Sequence, residues 1–217
     1  MSNELQVSLG QHSHAGRKAR NQDFHGAYVP RGSTLSAKGV ALALADGISS
    51  SEVSHIASES AVKGFLEDYY CTSAAWSVRT SAQRVLTATN AWLYAQTQQG
   101  QGRFDKERGY VCTFSALVLK SRTAYLFHVG DCRIYRVQGA SLEPLTTDHR
   151  VWVAPGQSLL SRALGIQAQL EIDCHTHPIT AGDVFVLATD GVYEHLEPSF
   201  VVQCLRQQGS DLDSVAR

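Results

Sequence analysis

The chain has 217 residues, 43% of them hydrophobic and 18% charged, with a formal net charge of -1. That is enough apolar residue for one substantial core, and too little charge bias for a disordered segment, a nucleic-acid surface or an anionic-membrane surface. Five widely spaced cysteines (Cys71, Cys112, Cys132, Cys174, Cys204) form no C-x-x-C pair, and no apolar run reaches the length of a bilayer span, so the sequence reads as an intracellular, cytoplasmic domain without disulfides, cysteine zinc site or membrane segment.

In chain order, Leu5 to Leu9 alternates weakly as an opening strand. A polar, basic loop from Gln11 to Arg20 follows, then a strand over Asp23 to Val29 and a turn at Pro30 to Ser33. Val40 to Ala45 is an unalternating apolar run, the pattern of a strand buried on both faces. After a serine-rich loop, Val53, Ile56, Ala57, Ser60, Ala61, Gly64 and Phe65 recur at helical spacing, giving a helix to about Tyr70; a second runs from about Ala74 to Gln98. The stretch from Tyr110 to Leu145 reads as a four-strand antiparallel meander: 111–119, 124–129, 133–137 and 141–145. Asp148 to Gln157 is a short polar connection; strands resume at 159–165, 170–175 and 184–188, and Pro198 to Gln208 is a helix. Helices inserted between runs of antiparallel strands make an α+β domain.

Three apolar runs end on an aspartate beside a glycine: VALALADG at Asp46-Gly47, AYLFHVGD at Gly130-Asp131 and VFVLATDG at Asp190-Gly191. One such end alone is usually a turn. If the three strands share one sheet system, however, their ends gather carboxylates at one edge, where a cation or a proton is needed to make the cluster tolerable. Asp23 opens another strand just after Arg17, Lys18 and Arg20, and carboxylates beside cationic side chains suit metal-assisted phosphate chemistry. His12-x-His14 and His175-x-His177 lack a third clustered ligand and read as polar surface pairs rather than zinc sites. His128, inside an apolar strand, reads as a hydrogen-bonded core histidine.

RNQD, ADG, a strand threonine, HVGDCRIY, LTTDH, SRALG and LATDG stand in an order and spacing that resembles the metal-dependent protein phosphatase (PPM, type 2C) family of bacterial type, over Arg17 to Leu196. The resemblance implies a four-layer αββα sandwich of two antiparallel sheets flanked by helices. It also implies hydrolysis of phosphoserine and phosphothreonine in proteins by a hydroxide bridging two Mg²⁺ or Mn²⁺ ions, with phosphorylated proteins as substrates and a cognate serine/threonine kinase as a partner. On matching positions, Asp46 would bridge the ions, Gly47 would offer its carbonyl to one, Asp190 would bind the other, and Asp23 would lie within or just outside the ligand set. Asp131 matches a weaker third-metal ligand. Arg17 or Lys18 stands near the family's phosphate-gripping arginine; the aligned position is Lys18, which supplies charge but not a bidentate fork.

The sequence also departs from the family pattern. Serines at 49, 50 and 54 stand where relatives carry glycines, which implies a rebuilt loop beside the metals. The flap between the DH and SRALG motifs, 149–160, is much shortened, leaving an open cleft. The family's closing strand with its Asp-Asn pair has no match before Arg217, so the expectation is one phosphatase domain over 1–217 that lacks its C-terminal strand. Asp211 and Asp213 are not assigned that ligand role. These departures leave a second reading, a catalytically weakened phosphatase fold acting as a regulatory or phosphoprotein-binding module.

Overall fold

The computed structural model describes residues 5–154, 156–209 and 211–217. In chain order the elements are β1 (Asp23–Tyr28), α1 (Gly32–Lys38), β2 (Val40–Asp46), α2 (Ser54–Cys71), α3 (Val78–Gln99), β3 (Phe114–Lys120), β4 (Thr123–Val129), β5 (Arg133–Gln138), β6 (Ser141–Pro144), β7 (Arg150–Ala154), β8 (Gln157–Leu160), β9 (Asp173–Pro178), β10 (Phe185–Ala188), α4 (Asp190–Tyr193), α5 (Pro198–Gln208) and α6 (Leu212–Ala216). A five-stranded sheet has the order β1-β2-β3-β4-β9, a three-stranded sheet the order β10-β5-β6, and β7 and β8 form a separate hairpin. Every pairing is antiparallel.

The period of two along each strand sorts the core into two layers. Ala41, Ala43 and Ala45 of β2, Ala116 and Val118 of β3 and Phe127 of β4 pack with Ala57, Ala61, Phe65, Leu86 and Leu93 from α2 and α3. The alternate residues Val40, Leu117, Leu119, Ala124 and Leu126 face the other way and pack with Ile134, Phe185 and Leu187 of the second sheet. Small alanines on the helical face let α2 and α3 sit close on the large sheet, and larger aliphatics fill the space between the sheets. With α5 against β6 on the outside, the layering is helix, sheet, sheet, helix, as the family resemblance implies.

Four expectations change. Leu5 to Leu9 is not a strand, although Leu5 and Val7 pack into the inter-sheet core. The segment after Pro30 continues into α1, whose Leu35 is buried in the same core. The four strands from 111 to 145 are two hairpins in different sheets, because Gly130, at φ 105°, carries the chain across from β4 to β5. Thr113 would lie only 2.5 Å from a Cβ at Gly130, so both the turn and the close approach require glycine. Finally, part of the supposed polar connection at 148–157 is strand β7.

Candidate metal centre

Antiparallel pairing puts the end of one strand beside the start of its neighbour, and that rule assembles the site. Asp23 at the start of β1 lies directly opposite Asp46 at the end of β2. By strand alternation both side chains fall on the inter-sheet face, the one that carries Val40 and Leu42. In the second sheet, Ala188 at the end of β10 pairs with Arg133 at the start of β5, which sets Asp190 and Asp131 at one edge. Thr189 joins the two sheets: its hydroxyl donates to Asp23 Oδ2 at 3.0 Å.

The backbone of Asp46 is pinned by Thr113, whose N–H donates to Asp46 O at 2.8 Å and whose Oγ1 accepts from Asp46 N–H at 3.1 Å. Gly47 is confined as well, since a Cβ there would lie 2.7 Å from the backbone of Ser54 at the start of α2. The Asp46 carboxyl is pushed up to about 9, first by burial, then by the charge of Asp23, a hydrogen bond with it, and the charge of Asp190; Lys18 opposes the shift.

Ser50 and Ser54, at glycine positions of the family pattern, and the neighbouring Ser51 rebuild the loop after Gly47. Ser50 Oγ donates to Glu107 O at 2.9 Å and Ser51 Oγ to Gly109 O at 2.7 Å, while Ser54 Oγ donates to Ser51 O at 3.0 Å. Gln22 holds the loop from the other side, its amide donating to Ile48 O, Ser51 O and Ser54 Oγ at 3.2, 3.0 and 2.8 Å. Lys18 Nζ donates to Ser49 Oγ at 3.2 Å and its charge acts on the Asp46 carboxyl; Arg17 and Lys18 are both exposed. Arg20, from the same basic cluster, lies against His55 at 3.2 Å.

Asp131 is almost fully buried, and its partner is Arg150, the first residue of β7. Arg150 Nε and Nη2 lie 2.6 and 2.5 Å from Asp131 Oδ2, Nη1 donates to Ser158 Oγ at 2.9 Å, and Nη2 reaches Asp190 Oδ2 at 3.4 Å. Burial raises the Asp131 carboxyl and the Arg150 guanidinium opposes that shift. His149 fixes the turn ahead of Asp131. Its N–H donates to Gly130 O at 2.7 Å and its Nδ1 accepts from Gly130 N–H at 3.0 Å, so the ring proton sits on Nε2, 3.0 Å from Asp173 Oδ2. Tyr193 of α4 stacks under the Arg133 guanidinium, 3.7 Å from the ring centroid, and Arg133 forms a bidentate pair with Asp148 at 2.9 and 2.7 Å. These contacts anchor the helix that begins at Asp190.

The structure therefore brings Asp23, Asp46, Gly47 and Lys18 together on the first sheet, and Asp131 and Asp190 on the second. Among the described residues, no three histidine, cysteine, aspartate or glutamate side chains converge closely enough to hold an ion. Even so, the donors at Asp23, Asp46 and Gly47 are hard oxygens in a partly buried set whose carboxylates repel each other, which fits a magnesium- or manganese-type cation. A cavity of about 300 Å³ between Ser50 and the end of α3 is lined by none of the aspartates. Arg150 lies outside every motif quoted from the sequence; Gln22 within RNQD, Thr189 within LATDG and His149 within LTTDH lie inside motifs but were given no role, and Thr113 was noted only as a strand threonine.

A protein-family model described as Protein phosphatase 2C matches residues 10–214. The chain belongs to the protein phosphatase 2C family. A serine/threonine phosphatase stp of Listeria innocua is 25% identical over 169 residues, covering 69% of this chain and 65% of the relative. The chain thus matches just under two thirds of that relative's length. Protein phosphatase PhpP of Streptococcus pneumoniae is 25% identical over 198 residues, covering 81% of this chain and 74% of the relative. In structure, serine/threonine phosphatase Stp1 from Staphylococcus aureus superposes with a TM-score of 0.77 at 15% identity, covering 97% of this chain and 90% of that one. The catalytic domain of the phosphatase PstP in complex with two manganese ions gives a TM-score of 0.69 at 20% identity over 97% of this chain and 86% of that one. The antiparallel two-sheet architecture is that of these 2C-type folds.

Proposed function

We propose that this chain is a metal-dependent protein serine/threonine phosphatase, one domain over residues 1–217 with its flap reduced to the β7–β8 hairpin. The observation that carries this reading is the pairing of Asp23 with Asp46 across β1 and β2, tied through Thr189 to the strand end that bears Asp190. Family membership and relatives named as serine/threonine phosphatases support it, as does a structural neighbour holding two manganese ions.

In this reading Asp46, the Gly47 carbonyl and Asp190 would hold two Mg²⁺ or Mn²⁺ ions, and Asp23 orients Asp46 or would join the ligand set. Bound there, the ions would supply an activated hydroxide and neutralise phosphoryl charge. The chain's own residues do the rest. Thr113 keeps the Asp46 backbone from shifting, Thr189 aims the Asp23 carboxylate, and Lys18 brings an ammonium to the mouth of the site, where it attracts the substrate phosphate. The substrate is a phosphorylated protein, and a serine/threonine kinase is the partner activity that places the phosphate.

Arg150 reaching Asp190, with no three ligand side chains converged among the described residues, favours a second reading: a phosphatase fold of weakened catalysis that binds phosphoproteins. Phosphate release from a phosphothreonine peptide in Mn²⁺ separates the two. The enzyme reading expects manganese-dependent turnover that falls by at least about 100-fold in Asp190→Asn, the scale of losing a charge-stabilising catalytic group. No turnover at saturating Mn²⁺, in this chain and in a version carrying further C-terminal sequence, would leave the binding module.

A further inference from the structure

Asp131 and Asp190 meet at the edge of the second sheet, and what lies between them is a guanidinium. Arg150 places Nε and Nη2 on Asp131 and Nη1 on Ser158, and the same Nη2 lies within 3.4 Å of Asp190. The side chain of Asp131 is only 4% exposed, and a buried carboxylate without a cation partner is costly.

The guanidinium is held from both ends. At the head, donors on all three nitrogens are engaged in the contacts just described. At the root, the residue before Arg150 is locked to the residue before Asp131: His149 and Gly130 exchange a backbone bond at 2.7 Å and a ring bond at 3.0 Å, and His149 O accepts from Ser161 N–H at 2.8 Å. Freeing Asp131 therefore means breaking the contacts of all three guanidinium nitrogens, because the root cannot carry the head away with it. A divalent ion seeking both carboxylates must displace a cation covalently tethered at high effective concentration.

We propose that Arg150 is a built-in cation occupying the Asp131–Asp190 position, so that this chain takes no third divalent ion there. It is a positioning residue: it neutralises Asp131 and steadies Asp190 for the ion that Asp190 itself would bind. The inference rests on the phosphatase reading for its setting, but not on the number of ions held by Asp46.

Counting bound Mn²⁺ by equilibrium dialysis with electron paramagnetic resonance of the free ion tests it on the full chain. Asp131→Asn in the wild-type background is expected to leave the count unchanged. Arg150→Met is expected to add one ion per chain, Arg150→Lys to add none, and Arg150→Met with Asp131→Asn to lose the gain. A wild-type count that drops by one in Asp131→Asn would overturn the proposal, and so would an Arg150→Met count equal to wild type in protein whose circular dichroism matches wild type. The dinuclear reading is judged separately: fewer than two ions in wild type counts against it, while the increment between wild type and Arg150→Met still decides the role of Arg150.

Discussion

Asp46 sits where folding and chemistry pull in opposite directions. Its carboxyl is buried opposite Asp23 and within the field of Asp190, and without a cation it is held protonated up to about pH 9. An ordinary surface aspartate ionises some five pH units lower, so the site keeps a group that the fold alone does not favour. Asp46→Asn, neutral at every pH and nearly the same shape, is therefore expected to melt no lower than wild type in a chelator, and to lose the stabilisation that Mn²⁺ gives wild type. Differential scanning fluorimetry with and without Mn²⁺ reads both. A variant that melts several degrees below wild type in chelator would show that the carboxylate is structural. The neighbouring residues also mark how far the sequence can be read. Asp23, Asp46, Asp131 and Asp190 are visible as strand ends, because strand ends are written in local pattern. Arg150 is not, because its partners lie 19 and 40 residues away and only the crossing at Gly130 and the β7–β8 hairpin bring them together. The contact of Lys18 with Ser49 likewise spans a loop and leaves no local signal.

At the scale of elements, two Asp-Gly ends that look alike in the sequence differ in what surrounds them. Gly47 lies where β2 gives way to the loop leading into α2, and a Cβ there would meet the Ser54 backbone at 2.7 Å, whereas a Cβ at Gly191 in α4 meets nothing within 4 Å. Backbone cannot rotate aside as a side chain can, so Gly47→Ala should force α2 away from β2 at a cost of roughly 1–3 kcal/mol. Gly191→Ala should stay within about 0.5 kcal/mol. Urea denaturation of the two variants checks the contrast, and equal midpoints would refute it. The same distinction between local and long-range information explains the element boundaries. Helices α2 and α3 were legible because long amphipathic periods survive small errors. The assignment of β5 and β6 to a second sheet was not, since a tight turn at Gly130 reads as a hairpin whether the chain returns or crosses. Strand β7 was missed because Val151, Trp152 and Val153 are all exposed and leave no alternation. Helix α1 was missed because Gly32-Ser33 after a proline has the composition of a turn.

The whole molecule is two sheets that must stay in register for the two halves of the site to face each other, and a buried histidine lies on the seam. His128, on the inter-sheet face of β4, has Nδ1 2.8 Å from Ser115 Oγ and donates from Nε2 to Thr147 O at 3.1 Å, in the segment that follows β6 of the other sheet. Burial first, then the nearby His149, depresses its pKa to about 4. An unfolded histidine titrates near 6.5. Between those values the unfolded chain binds a proton that the folded chain refuses, so stability rises with pH up to about 6.5 and is lost as pH falls from 6.5 toward 4. The gap corresponds to at most roughly 3 kcal/mol for this one group. Protonation would also turn Nδ1 into a donor, requiring the Ser115 hydroxyl to turn away from the ring, where Cys132 O at 3.2 Å is available to receive it. Acid should therefore loosen the inter-sheet contact as a unit, separating the Asp46 side of the site from the Asp190 side. His128→Gln keeps a polar side chain but removes the titration, so its denaturation midpoint should be lower than wild type at pH 7 and vary less between pH 6.5 and pH 4.5. Equal slopes of midpoint against pH in the two proteins would move the acid sensitivity elsewhere, and nuclear magnetic resonance titration of the His128 ring would report a pKa near 6.5 instead of about 4.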